Sequence, residues 1–272
     1  RRAGRAQRPG GVVEAGVILA IDAGNSRVKW GWLEAGRDGA WRWASVATVS
    51  LIEFAAASDH VNPFSVTHGD PERIIISNVA GDGAHQLLVN WTSIFDAEPL
   101  WLKAEAERGG VKNGYEKPEL LGADRWAALI AARSLHHGPA LVVNAGTATT
   151  VDMLTAEGAF LGGVILPGVD LMRFVLHEHT GRLPIAEGSY RETPRNTLDA
   201  IETGCRHAQA GAVERMYRVF REVAPAPLCI VAGGAGRALV DQLSMPRRYV
   251  ENLVLEGLAH IALAERAAAR PA

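Results

Sequence analysis

Between positions 17 and 33 the chain changes its rhythm of apolar and polar residues in a way that predicts a hairpin. Val17–Ile21 is a short apolar run of the buried-strand kind. After Asp22-Ala23-Gly24-Asn25-Ser26, the residues Val28, Trp30 and Trp32 alternate with Arg27, Lys29 and Gly31 as far as Leu33. Strand, glycine turn and alternating strand together make a hairpin. Further strands are expected at Trp41–Val49 and Arg73–Ser77, with helices at Leu51–Ala57 and Gly83–Trp91. Residues 110–122, rich in Gly and Pro, read as a loop. Trp126, Leu129, Ile130 and Ala131 then fall at helical spacing and predict a helix over Ala123–Leu135, stopped by Gly138-Pro139.

The second half opens as the first does. Ala140–Val143 is an apolar strand, Asn144-Ala145-Gly146-Thr147 a turn, and Ala148–Leu154 a returning strand. Aligned on the turns, Asp22-Ala23-Gly24-Asn25 falls on Asn144-Ala145-Gly146-Thr147. A repeat on that scale implies two similar domains facing each other rather than a solenoid. All seven tryptophans lie at or before Trp126, so the two halves have diverged. The expected division is a tail at 1–16 and domains at 17–138 and 139–272.

Composition narrows the classes. The chain has 272 residues, 48% hydrophobic and 21% charged, with a formal net charge of -2, so it carries no electrostatic footprint for nucleic acid. No apolar run approaches the ~20 residues that span a bilayer. Cys205 and Cys229 sit among small or apolar neighbours and read as two buried thiols in a reducing compartment. Residues 1–10 carry Arg1, Arg2, Arg5 and Arg8 without acids or apolar pattern, and read as a disordered tail.

Three segments carry candidate chemistry. A turn at Gly24 lets backbone N–H groups approach a phosphate, Asn25 and Ser26 add neutral donors, and Lys29 adds charge. Asp22, ending a buried strand, is placed to hold a hydrated Mg²⁺. The same residues also make a good plain hairpin turn. Asn144–Thr150 offers threonine hydroxyls for a second phosphate grip, although threonine is also a favoured strand residue. The pair of turns favours a nucleotide held from both sides of a cleft. Asp124, at the start of a helix, fits either an N-cap or an ionised carboxylate that takes a proton from an attacking hydroxyl. Arg125 beside it is able to fork onto a substrate carboxylate, and Trp126 reads as core. Val231–Gly236 does not complete a dinucleotide fingerprint and reads instead as a turn against a base or ribose. His177 and His179 lie two apart on different helical faces, which argues against a metal pair.

These residues resemble one family. Asp22-x-Gly24-Asn25-Ser26-x-x-Lys29, Gly114-Tyr115-x-x-Pro118-x-x-Leu121-Gly122-x-Asp124-Arg125-Trp126, Gly146-Thr147-Ala148-Thr149-Thr150-x-Asp152 and Gly162-Gly163-x-Ile165-x-Pro167-Gly168 occur in order. The set is similar to type III pantothenate kinases, a family that includes the Bvg accessory factors, and the likeness runs from about Val17 to Ala259. It implies an α/β fold, a duplicated ribonuclease H-like arrangement of the acetate-kinase/actin superfamily with a cleft between its domains. It implies transfer of the γ-phosphate of ATP to the primary hydroxyl of pantothenate, the first step of coenzyme A synthesis, in a cytoplasmic homodimer that engages neither nucleic acid nor membrane. Asp124 matches the family's catalytic base. Tyr115, Gly122, Ala123, Asp124, Arg125 and Thr197 match its pantothenate contacts. Asp22, Ala23, Gly24, Asn25, Ser26, Arg27, Val28, Lys29 and Thr147 match its ATP contacts, with Mg²⁺ on Asp22 through water. Asn144 departs from the pattern: many members have Asp there as a ligand for K⁺ or NH₄⁺, and an amide brings no charge. A kinase for another small acceptor, a polyphosphate phosphatase and a regulatory protein that kept the fold are the competing readings.

Overall fold

The computed structural model describes residues 16–56, 63–64, 68–185 and 188–269. The expected tail therefore lies outside the described residues except for Gly16, as does Ala57 at the end of the first expected helix.

Both expected hairpins form. β1 (Val17–Ala23) pairs antiparallel with β2 (Arg27–Ala35), and β2 pairs antiparallel with β3 (Trp41–Ser50). Helix α1 (Leu51–Ala56) follows, then β4 (Arg73–Asn78) parallel to β1, α2 (Asp82–Thr92), and β5 (Pro99–Trp101) parallel to β4. The first sheet therefore runs in the order β3-β2-β1-β4-β5.

The segment expected as a loop at 110–122 is only partly one. β6 (Glu107–Arg108) and β7 (Val111–Asn113) form a small hairpin, and Pro118–Leu120 makes one 3₁₀ turn. Glycines bracket these pieces and hide them in the sequence, because a two- or three-residue strand has no visible period. Helix α3 (Ala123–Leu135) then leads to β8 (Ala140–Ala145), β9 (Ala148–Leu154) and β10 (Ala159–Pro167), a second antiparallel meander. Helices α4 (Val169–His179) and α5 (Thr197–Arg221) precede β11 (Leu228–Ala232), which lies parallel to β8. Helix α6 (Gly236–Val240), β12 (Arg247–Tyr249) and α7 (Leu253–Ala268) complete the chain.

The second sheet is ordered β12-β11-β8-β9-β10-β7-β6. Its first five strands repeat the first sheet one for one, with the same parallel and antiparallel partners; β7 and β6 extend it. The repeat seen in two tetrapeptide turns is thus a repeat of the whole five-stranded unit.

Burial explains the apolar runs. On β1, Ile18 and Ala20 face a core shared with α3 and α7, whereas Leu19 and Ile21 face Trp32, Phe54 and Trp91 on the other side. A strand covered on both faces reads as continuously apolar. The second sheet behaves alike: Val142 and Ile230 join the shared core, and Leu141 and Val143 meet Val213, Phe220 and Leu239. Helices α3 and α7 therefore form the layer between the sheets. They approach closely because Gly257 has no side chain; a Cβ there would collide with the Ala127 carbonyl. Trp126 is fully buried in this layer, as expected of a core residue. Both cysteines are buried and free, and burial pushes the Cys229 thiol up to about 12.

Candidate active site

The two hairpin turns meet. Gly24 N donates to Arg27 O at 2.9 Å and closes the first turn; Gly146 N donates to Ala148 O at 3.0 Å and closes the second. Thr147 Oγ1 then donates to Ser26 Oγ at 2.7 Å, joining one turn to the other. Asn25, Ser26 and Arg27 are exposed there, while Ala23 and Val28 are buried backbone positions of the hairpin. Lys29 is half-buried; its Nζ donates to Asn252 Oδ1 at 3.0 Å, and burial lowers its pKa against the pull of Asp22 and Glu251.

Two more glycine segments press against the second turn. Gly168 N donates to Thr147 O at 2.8 Å, and any Cβ at Gly168 would strike the Gly146 carbonyl. Gly233 has a φ of 90°, a left-handed conformation that suits glycine, and Ala235 N donates to Ala145 O at 3.1 Å. The turn Val231–Gly236 thus belongs to the same place, with Gly234 beside the Arg27 guanidinium of the first turn.

Carboxylates gather below the turns. Burial raises the pKa of Asp22 to about 7, the charge of Asp124 adds to the rise, and Ser77 and Lys29 oppose it. Its Oδ1 is buried without a hydrogen-bond partner, the state of an oxygen shaped for a cation or a water on one. That chemistry fits Mg²⁺, which keeps most of its own waters and binds through one or two carboxylates. Among the described residues no group of three or more His, Cys, Asp or Glu side chains surrounds a metal position.

Asp124 is not the N-cap of α3. Gly122 holds that position, and Asp124 sits in the first turn with Oδ1 accepting from Arg125 N at 2.8 Å. Its pKa is raised by burial and opposed by Arg125. The helix dipole favours its ionised form, while burial makes it a better base than an exposed carboxylate.

Arg125 departs from expectation. Its fork is already occupied by a protein carboxylate: Nε donates to Asp152 Oδ2 at 3.2 Å, and the Arg125 NH2 nitrogen donates to Asp152 Oδ1. Its NH1 nitrogen donates to Tyr115 Oη at 2.7 Å, and the adjoining Tyr115 and Phe160 rings lie 5.5 and 5.9 Å from the guanidinium. An arginine has five N–H donors, so two remain for a substrate group. Asp152 itself is buried, which raises its pKa; Arg125 lowers it and Asp124 raises it. Gly163 on β10 lies opposite Asp152, and a Cβ there would collide with the Asp152 carboxylate. Asp152 closes the Gly146–Asp152 motif in the sequence, but nothing there assigns it a partner or a role.

Residues 18–219 match the family model of type III pantothenate kinase. Curated relatives agree. A type III pantothenate kinase of Aromatoleum aromaticum is 49% identical over 93% of this chain and 100% of its own length, and one of Azoarcus sp. is 45% identical over 94% of both. The chain belongs to the type III pantothenate kinase family. Among solved structures, a protein described as a Baf family transcriptional activator from Campylobacter jejuni aligns with a TM-score of 0.57 at 21% identity, covering 92% of this chain and 99% of its own. One described as a 2-dehydro-3-deoxygalactonokinase from Sinorhizobium meliloti aligns at 0.58 and 16%, covering 93% and 100%. Both show the fold alone, the duplicated two-domain arrangement expected.

The remaining family positions lie unevenly. Tyr115, Gly122, Ala123, Asp124 and Arg125 come together around the start of α3. Thr197 opens α5 and lines a different surface, the groove between α4 and α5. Asn144 stands in β8 between Thr150 of β9 and Ala232 of β11. His177 Nδ1 donates to Leu183 O at 2.8 Å.

Proposed function

We propose that this chain transfers the γ-phosphate of ATP to the primary hydroxyl of pantothenate, with Asp124 as general base. The single observation that supports the assignment most is the position of Asp124. It is a buried carboxylate of raised pKa in the first turn of α3, close enough to Asp22 to repel it and joined by one peptide bond to Arg125.

The residues divide the work as follows. Backbone amides of 22–29 and of Gly146-Thr147, with the Ser26 and Thr147 hydroxyls, hold the phosphates. Asp22 would hold Mg²⁺ through its waters, and the bound ion would neutralise charge on the β- and γ-phosphates. The two remaining N–H groups of Arg125, with Tyr115, Gly122 and Ala123, orient pantothenate. Its hydroxyl oxygen forms the new bond to the γ-phosphorus as the bridging bond to ADP breaks, and Asp124 takes the hydroxyl proton. Such transition states are loose, so positioning and fixed charge supply most of the acceleration.

Three further points belong to the same proposal. The halves 17–138 and 139–272 act as the two lobes; each holds one five-stranded unit, with β6–β7 and α7 exchanged between them. The active form is a homodimer in the cytoplasm. Its support is the apolar groove of 590 Å³ between α4 and α5, lined by Met172, Val175, Leu176 and Ile201 with Thr197 among them, near which Phe174 is 49% exposed. A second copy covering that groove would bring its interface to the pantothenate contact Thr197. Asn144 offers an oxygen without charge, so K⁺ or NH₄⁺ has little effect on the rate. No described helix is long and apolar enough to cross a membrane, and the net charge gives nucleic acid no purchase.

A panel of acceptors assayed with ATP and Mg²⁺, with and without K⁺, tests the reading. Pantothenate is expected to support ADP formation above every other acceptor. Equal rates across the panel would refute the assigned substrate.

A further inference from the structure

Asp22 and Lys29 are a directly opposed pair of β1 and β2, so their side chains leave the hairpin on one face. Opposite charges placed in this way attract and tend to close on each other. Here the ammonium is drawn elsewhere. Lys29 Nζ donates to Asn252 Oδ1 at 3.0 Å across 223 positions of chain, and Asp22 Oδ1 stays buried with no partner. Asn252 holds the N-cap position of α7. Asparagine is favoured there because its oxygen accepts from a backbone N–H of the first helical turn. Asn252 makes no such bond, and its oxygen serves Lys29 instead. The ammonium also sits beside the positive end of the α7 dipole, where a cation is disfavoured. A helix start that forgoes its cap and accepts a cation points to a use for the contact other than stability. Its place is fixed, because α7 packs on α3 through Gly257 and Ala127, and α3 carries Asp124 in its first turn.

We infer, resting on the ATP reading above, that Asn252 is a positioning residue: it holds the Lys29 ammonium off Asp22. The carboxylate thereby stays open to Mg²⁺, and the lysine stays free for the phosphates. An ammonium has three N–H donors, so two remain after the bond to Asn252. Released from Asn252, Lys29 would fall back on the carboxylate opposite it. Away from bulk water such a pair is strong, and a metal ion reaching Asp22 would first have to displace it. An amide suits this task because it accepts a hydrogen bond without bringing charge. The positive charge of Lys29 is left undiminished for the β- and γ-phosphates. The contact also ties β2 of the first half of the sequence to α7 of the second, beside the bond from Thr147 to Ser26.

The test is calorimetric titration of the full chain with ADP over a series of Mg²⁺ concentrations. Asn252→Ala removes the acceptor. The Mg²⁺ concentration that half-enhances ADP binding is then expected to rise about tenfold, equivalent to about 1.4 kcal/mol. Asn252→Asp keeps an acceptor of the same shape and is expected to return that concentration to within about twofold of the parent's. A lost helix cap would act without the lysine, so a second background is measured. With Lys29→Met in place nothing is left to fall on Asp22, and adding Asn252→Ala should move the Mg²⁺ response by no more than about twofold. A parent-like Mg²⁺ response in Asn252→Ala would overturn the inference. So would a rise of about tenfold that persists in the Lys29→Met background. If ADP binding by the parent did not depend on Mg²⁺, the ATP reading would fall first; a Mg²⁺-dependent parent with an indifferent Asn252→Ala would remove this inference alone.

Discussion

Arg125 and Asp152 face each other fork to fork inside the protein, with Nε to Oδ2 at 3.2 Å and both side chains at or below 5% exposure. The arginine expected to grip a substrate carboxylate is first held by a carboxylate of the chain itself. That pairing fixes the guanidinium beside the adjoining Tyr115 and Phe160 rings before any ligand arrives.

Asp152→Ala leaves the Arg125 charge buried and unpaired. Breaking a buried pair from one side costs about 3–5 kcal/mol. Denaturant unfolding should show a loss of that order, together with a raised KM for pantothenate. A midpoint equal to the parent's would mean that the pair is not formed in solution.

Asp124→Asn keeps the size of the side chain and removes the base. Turnover should fall by about 10²–10⁴-fold, the usual contribution of a general base, while ADP binding persists. Because burial raises the pKa of Asp124, the acid limb of the parent's pH–rate profile should lie above the ordinary carboxylate range. An acid limb at the value of an exposed aspartate would contradict the burial argument.

Asp22 makes stability depend on pH. Its carboxyl titrates near 3.8 when unfolded and at about 7 when folded, so the folded chain binds this proton more tightly. The resulting stabilisation is complete below the unfolded value and is lost as pH rises through the folded one. Asp22→Asn cannot ionise and keeps it. Without Mg²⁺, the Tm of the variant minus that of the parent should therefore widen from about pH 4 to about pH 7. A difference that is flat over that range would show that Asp22 is solvated.

Gly257→Ala places a methyl against the Ala127 carbonyl, a backbone atom that cannot turn aside. The α3–α7 layer should open, with a loss of about 1–3 kcal/mol. Since Asp124 stands at the head of α3, activity should fall with stability. Parent-like thermal unfolding would show that the helices cross less closely.

The hairpins, α3 and the two-fold repeat were legible in the sequence because short strands closed by glycine turns leave a local pattern. α7 was not, since residues such as Leu255, Gly257, Leu258 and Ile261 are buried around most of its circumference and show little amphipathic contrast. β10 was hidden by Gly162-Gly163, which serve a bulge and the Asp152 carboxylate rather than strand propensity. The phosphate turns announced themselves through glycine. The Asp152–Arg125 and Lys29–Asn252 pairs join residues far apart in the chain, and no spacing rule reaches them.

The most direct measurement is product analysis. The full chain is incubated with ATP, Mg²⁺ and pantothenate, and phosphopantothenate is quantified by mass spectrometry beside the Asp124→Asn variant. The account predicts stoichiometric ADP and phosphopantothenate from the parent and at most about a hundredth of that rate from the variant. Phosphopantothenate formed equally fast by both proteins, or by neither, would contradict it.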